Sequence, residues 1–167
     1  MFRFNIRVYG ILRDSNNRVL VSDEFIRGEY FTKFPGGGLE FGEGTRDCLA
    51  REFMEETGLT VTVGDHIYTT DHFQLSAFNK DHQIISIYYF VHAAEPIPLE
   101  TKTKVFDFLP EQVADNSTQC EIFRWIEWGD LTEDTVSLPL DKIVIKLLKE
   151  KHGKTPNDNT MLVRSFQ

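Results

Sequence analysis

The chain has 167 residues, of which 41% are hydrophobic and 26% charged, and carries a formal net charge of −8. That length suits one domain with a sizeable core and is short for two. The acidic balance argues against a nucleic-acid backbone as the main partner, because such binding relies on Lys and Arg to displace counterions. It leaves small anionic substrates open, since a bound divalent cation inverts the local field.

Residues 2–13 alternate aromatic and β-branched with polar positions and are expected to form a strand. Asp14 to Asn17 is a turn cluster, and Arg18 to Phe25 is read as the returning strand of a hairpin. A break at Arg27-Gly28-Glu29 and the segment Tyr30 to Phe34 lead to Pro35 and three glycines, Gly36 to Gly38, expected as a sharp turn. A helix follows, with Thr45 as its expected cap, Asp47 in the first turn and Gly58 at the stop. Leu49, Ala50, Phe53 and Thr57 share the face that would anchor it.

Beyond the helix, Leu59 to Val63 and Ile67 to Phe73 read as strands separated by Gly64-Asp65. Gln83 to Ala93 is the clearest strand, ended by the Pro96 and Pro98 region. Residues 99–118 read as a long functional loop or insertion. Glu121 to Trp128 is a further strand, and a last helix is expected from Ser137, its cap, toward Gly153. Residues 3–152 are assigned to one domain and 153–167 to a flexible C-terminal tail. Strands, a helix, more strands and a final helix predict an α/β fold with helices packed on a mixed sheet.

The longest apolar stretch, Ile84 to Ala94, is broken by Ser86 and His92 and is too short to span a bilayer. No apolar leader is visible at the amino terminus. Cys48 and Cys120 share no metal-ligand spacing and read as reduced thiols, so a cytoplasmic location with no membrane partner is expected.

The chemistry concentrates in the first helix. Glu52, Glu55 and Glu56 are spaced i, i+3, i+4 and share an arc of roughly 100° on the helix surface. Such a face is ordinarily solvated. Here it follows directly on a glycine-rich segment, a combination suited to holding a hard cation and phosphate oxygens together. The spacing is Gly37, five residues, Glu43, seven residues, then Arg51-Glu52-Phe53-Met54-Glu55-Glu56-Thr57-Gly58-Leu59.

That pattern resembles the Nudix box, G-x5-E-x7-R-E-U-x-E-E-x-G-U, where U is a bulky apolar residue. Every fixed identity is present, with Phe53 and Leu59 at the bulky positions. The resemblance implies a Nudix-like α/β/α sandwich with a mixed β-sheet, and hydrolysis of a diphosphate bond in a nucleoside diphosphate linked to another moiety. It implies Mg2+ or Mn2+ held by Glu52, Glu55 and Glu56 together with the carbonyl of Gly36. Gly37, Glu43 and Gly58 then serve the motif structurally, and Arg51 orients a carboxylate, Glu43 or Glu55.

A carboxylate must also take a proton from the attacking water. Glu52 is one choice. Glu121 is another, because members of the family commonly place a glutamate shortly before a tryptophan, here Trp125. Glu111 and Asp115 compete more weakly. Cys48 projects among acidic neighbours, which oppose thiolate formation, and reads as a packing residue. His66, His72 and His82 read as structural or solvated, with His72 and Phe73 placed to line a cleft. Tyr30, Phe31, Phe106 and Phe108 could stack on a base but read first as core or loop anchors.

No substrate signature stands at Gln74 to Ala77, so the nucleoside diphosphate derivative is open, as is a homodimer. Two other readings compete with the enzyme. A nucleotide-sensing module would usually have lost box glutamates, and none is lost here. An RNA-directed enzyme would need a basic stripe that the sequence lacks.

Overall fold

The computed structural model describes residues 3–77 and 79–153, with the side chains of 152 and 153 outside the description. The tail expected at 153–167 therefore lies, from residue 154 on, beyond the described residues. Strands β1 (Arg3–Leu12), β2 (Arg18–Ile26), β3 (Glu29–Lys33) and β4 (Gly36–Gly38) precede helix α1 (Thr45–Thr57). Strands β5 (Val61–Thr69), β6 (His82–Ala93) and β7 (Gln119–Glu127) follow, and α2 (Pro139–Gly153) comes last.

The strands form two sheets. One is mixed, in the order β4-β1-β6-β5, with β1 and β6 parallel; the other is antiparallel, in the order β3-β2-β7. The expected hairpin between β1 and β2 is not formed. Those strands lie in different sheets, and their backbones pair only at an isolated bridge between Arg13 and Val19 among the described residues. Each strand finds a longer partner elsewhere: β1 runs in register with β6 from Arg3 to Leu12, and β2 with β7 from Arg18 to Ile26.

Alternation along the strands places the two helices on opposite faces. Val8 and Leu12 of β1 and Leu20 of β2 pack with Cys48, Leu49 and Phe53 of α1. Tyr9 and Ile11 of β1 and Val19 and Val21 of β2 pack instead with Val144, Ile145 and Leu148 of α2. The result is one α/β domain with helix layers on both sides of its strands. The aromatic ring of Phe53 sits so close to Gly10 that any side chain there would collide with it.

Local punctuation differs from expectation in four places. The three glycines form the short strand β4 paired to β1, and the turn comes after them, at residues 39–44. Gly36 has φ 133°, and a Cβ on it would strike the Val8 carbonyl, so only glycine fits this register. Gly44 takes the cap position of α1, with its N–H donated to Asp47 Oδ2 at 3.3 Å, while the Thr45 hydroxyl bonds Tyr89 Oη at 2.8 Å. Residues 61–69 form one bulged strand, with no strand from 70 to 73. Ser137 ties β3 to α2 without capping it: its Oγ accepts from Thr32 N, and its N–H donates to the Thr32 carbonyl, both at 2.8 Å. Gly58 ends α1 in the left-handed region as expected.

Candidate active site

The two sheets border a cavity of about 650 Å³, closed on one side by the start of α2 and on another by Gln74 to Ala77 and Asn79. Glu24 of β2, Glu56 of α1 and Glu121 of β7 point into it. One carboxylate oxygen of each lies within 4.8 Å of the others. Strand register explains part of this meeting, because Glu24 and Glu121 are cross-strand partners. Glu56 arrives from the last turn of α1, where its Oε2 accepts from Gly36 N at 3.4 Å.

Three half-buried carboxylates repel one another, and the protein answers with Lys33. Its Nζ is 2.8 Å from Glu24 Oε1 and donates to the Gly36 carbonyl at 3.0 Å. Burial disfavours the ammonium, yet Glu24, Tyr9, Glu56 and Glu121 hold its pKa above the ordinary lysine value. Burial pushes Glu56 up to about 7, with Lys33 opposing and Glu121, Glu52 and Glu24 reinforcing. Glu121 is raised by burial as well, against the pull of Lys33 and the Ser22 hydroxyl that donates to it.

The other box residues form a brace. Arg51 donates to both oxygens of Glu43, Nε at 3.0 Å and Nη2 at 2.8 Å, and its Nη1 reaches Glu52 at 3.0 Å and Glu55 at 3.1 Å. Nη2 also donates to the Gly38 carbonyl at 3.1 Å, which fastens α1 to β4. The expected choice between Glu43 and Glu55 thus resolves into both. These bonds pull Glu43 down to about 2. Glu43 also accepts from Glu40 N at 2.8 Å and so closes the 39–44 turn. A Cβ on Gly37 would run into the Glu52 carboxylate and displace it from its present position.

The structure therefore brings Glu56 and Glu121 together, adds Glu24, and sets Glu52 and Glu55 against Arg51, with the Glu55 side chain 59% exposed. Glu24 and Lys33 escaped the sequence reading. The available signal was the alternation Ser22, Glu24 on one face of β2, the face that β3 and β7 complete with Lys33 and Glu121. Glu111 and Asp115, in the 99–118 segment, lie outside the cavity wall, and so do His72 and Phe73. Gln74 to Ala77 take the place expected for His72 and Phe73, and Phe73 is exposed. Of the histidines, His66 bonds Thr69 Oγ1 at 2.8 Å and His82 lines the cavity.

Phe31 lines the cavity, whereas Tyr30 packs against Phe25, Phe106 and Phe108 at 5.1, 5.1 and 6.0 Å between ring centres. That cluster fixes the 99–118 segment to the outside of the antiparallel sheet. Cys48 is fully buried against α1's packing face, and burial with Glu43 beside it pushes its thiol up to about 12.

The donor set fits a hard divalent cation. It consists of carboxylate oxygens, with a backbone carbonyl next to them and no thiol or imidazole within the group. No described helix is long and apolar enough to cross a membrane.

Among solved structures, the ORF135 protein of E. coli matches with a TM-score of 0.64 at 17% identity, over 94% of this chain and 96% of that one. A MutT protein from Methanosarcina mazei Go1 matches at 0.62 and 17%, over 92% and 98%. A structure described as UDP-X diphosphatase matches at 0.58 and 17%, over 92% of this chain and 64% of that one. At such identities the likeness speaks for the fold. The family profile described as NUDIX domain matches residues 3–147. With that match spanning most of the chain and the complete box at 37–59, the chain belongs to the Nudix family.

Proposed function

We propose that this Nudix domain hydrolyses the diphosphate bond of a nucleoside diphosphate linked to another moiety, in the presence of Mg2+ or Mn2+. The observation that carries the reading is the convergence of Glu24, Glu56 and Glu121 in a cavity at the end of the box helix. A structural neighbour named for UDP-X diphosphatase activity is in keeping with that linkage class.

When bound, the cation supplies Lewis-acid stabilisation of charge on the diphosphate oxygens and an activated water. Glu56, Glu121 and Glu24 would hold it. Glu52, one turn before Glu56, is the box carboxylate best placed to join them. Glu55 stays with Arg51 at the surface. Lys33 holds Glu24 and the Gly36 carbonyl in position and offsets the charge of the carboxylates. Glu121 is the preferred proton acceptor over Glu52, because the Ser22 hydroxyl orients it from the strand face while Glu52 is engaged by Arg51.

Mononucleotide release with Mg2+, followed by chromatography, is to be measured across a panel of sugar nucleotides, ADP-ribose, dinucleoside polyphosphates and nucleoside triphosphates. Turnover of at least one member is expected, reduced about 10³-fold in Glu56→Gln. Silence across the panel with cation binding intact would instead favour a nucleotide-sensing role.

A further inference from the structure

The chain's half-buried arginines mostly carry a carboxylate. Arg18 pairs with Asp14 at 2.7 Å, Arg51 with Glu43 at 2.8 Å and Arg124 with Asp23 at 2.6 Å. Arg7 differs. It is half-buried on the cavity wall, and no carboxylate pairs with it among the described residues. Its Nε donates to Tyr9 Oη at 2.6 Å, and its guanidinium carbon lies 5.7 Å from the Tyr9 ring centre. That ring is itself buried, and Lys33 Nζ sits 5.6 Å from its centre. Tyr9 thus fixes the arginine in direction while leaving both terminal nitrogens without a hydrogen-bond partner among the described residues.

Strand register locates what those nitrogens face. Tyr9 is paired with Gly36, whose carbonyl belongs to the carboxylate end of the cavity. Asn5 is paired with Ile84, whose N–H donates to the Gln74 carbonyl at the opposite end. Arg7 stands between them on the same strand face, two residues or roughly 7 Å from each. A substrate held by its diphosphate at the carboxylates would bring the group attached to that diphosphate past Arg7.

We propose that Arg7, oriented by Tyr9, is a specificity-determining residue whose planar fork takes two adjacent acceptor atoms on the group that the diphosphate carries. The assignment rests on the cation–diphosphate reading above. A guanidinium held by its Nε presents two parallel N–H bonds, which suit side-by-side acceptors and are poorly matched by a single one. Two kinds of substrate group offer such a pair: a further phosphate, through its oxygens, and guanine, through O6 and N7. Adenine presents a donor where guanine presents O6 and does not qualify.

The test is calorimetric binding in Mg2+ with four probes: inorganic pyrophosphate, inorganic tripolyphosphate, GMP and AMP. Wild type is expected to prefer one fork-matching probe over its control by about tenfold, tripolyphosphate over pyrophosphate or GMP over AMP. Arg7→Gln should erase that preference, and Tyr9→Phe should reduce it. Arg7→Lys separates the sources and covers the case in which the Gln variant folds poorly. A lysine point charge retains part of a preference for phosphate and loses one for guanine. Equal affinities within both pairs in wild type, or a preference that survives in Arg7→Gln, would overturn the assignment and leave the diphosphate site standing. Failure of wild type to bind any phosphate probe in Mg2+ would remove the diphosphate reading and this assignment with it.

Discussion

Glu56 answers to two requirements that oppose each other. It must be buried enough to share a cation with Glu24 and Glu121, and burial is what raises it to about 7. The Gly36 N–H and the nearby Lys33 keep that cost tolerable. Cys48, on the same helix, shows burial that the neighbouring Arg51 offsets only in part. Its thiol, raised to about 12 and shut in the core, should resist iodoacetamide in the native protein at pH 8, so that any alkylation falls on Cys120. Mass-spectrometric mapping checks this, and native labelling of Cys48 at a rate near that of the denatured chain would contradict it. Spacing made the helix that carries Glu52, Glu55 and Glu56 legible in the sequence, but of the three only Glu56 stands in the carboxylate group, while Glu52 and Glu55 pair with Arg51. Glu24 was not legible, because a lone strand glutamate becomes a site residue only through cross-strand partners far along the chain, Lys33's strand on one side and Glu121 on the other.

At the scale of elements, the 99–118 segment was legible as irregular but its attachment was not. It is held through Asp23, fully buried on the outer face of β2. Asp23 Oδ2 accepts from Arg124 Nε at 2.6 Å and from Phe106 N at 3.2 Å, and Oδ1 accepts from Thr32 Oγ1 at 2.6 Å. Lys102 N donates to the Phe123 carbonyl at 2.7 Å, which adds a second tie to β7. Replacing Asp23 with Ala leaves Arg124 unpaired in a largely buried setting and should cost about 3 kcal/mol of stability. Hydrogen exchange should accelerate first at residues 104–108, and uniform protection there would rule out the anchoring role. The missed pairing of β1 with β2 has a related cause. A short turn between two apolar runs signals a hairpin locally, but β6 and β7 each offer these strands a longer ladder.

For the molecule as a whole, the acid carried by α2 links the helix layer to the site. Asp141 is fully buried, accepts from Tyr88 Oη at 2.6 Å and Phe34 N at 3.3 Å, and is pushed up to about 6 by that burial. The folded chain thus binds the Asp141 proton more tightly than the unfolded one, whose aspartates titrate near 3.8. The stability this contributes is present below pH 4 and is lost as pH rises through 6, a swing of about 3 kcal/mol. Asp141→Asn cannot ionise and keeps an acceptor for Tyr88. It should therefore gain on wild type between pH 4.5 and 7.5 in urea unfolding. A difference that stays constant with pH would show that Asp141 does not titrate in that window.

The central claim is that the three carboxylates form one divalent-cation site, and Mn2+ titration followed by electron paramagnetic resonance tests it most directly. Wild type should bind Mn2+ with an affinity that falls at least about tenfold in Glu56→Gln and again in Glu24→Gln, each removing one charged oxygen ligand. Unchanged affinity in both variants, with their folds intact, would contradict the account.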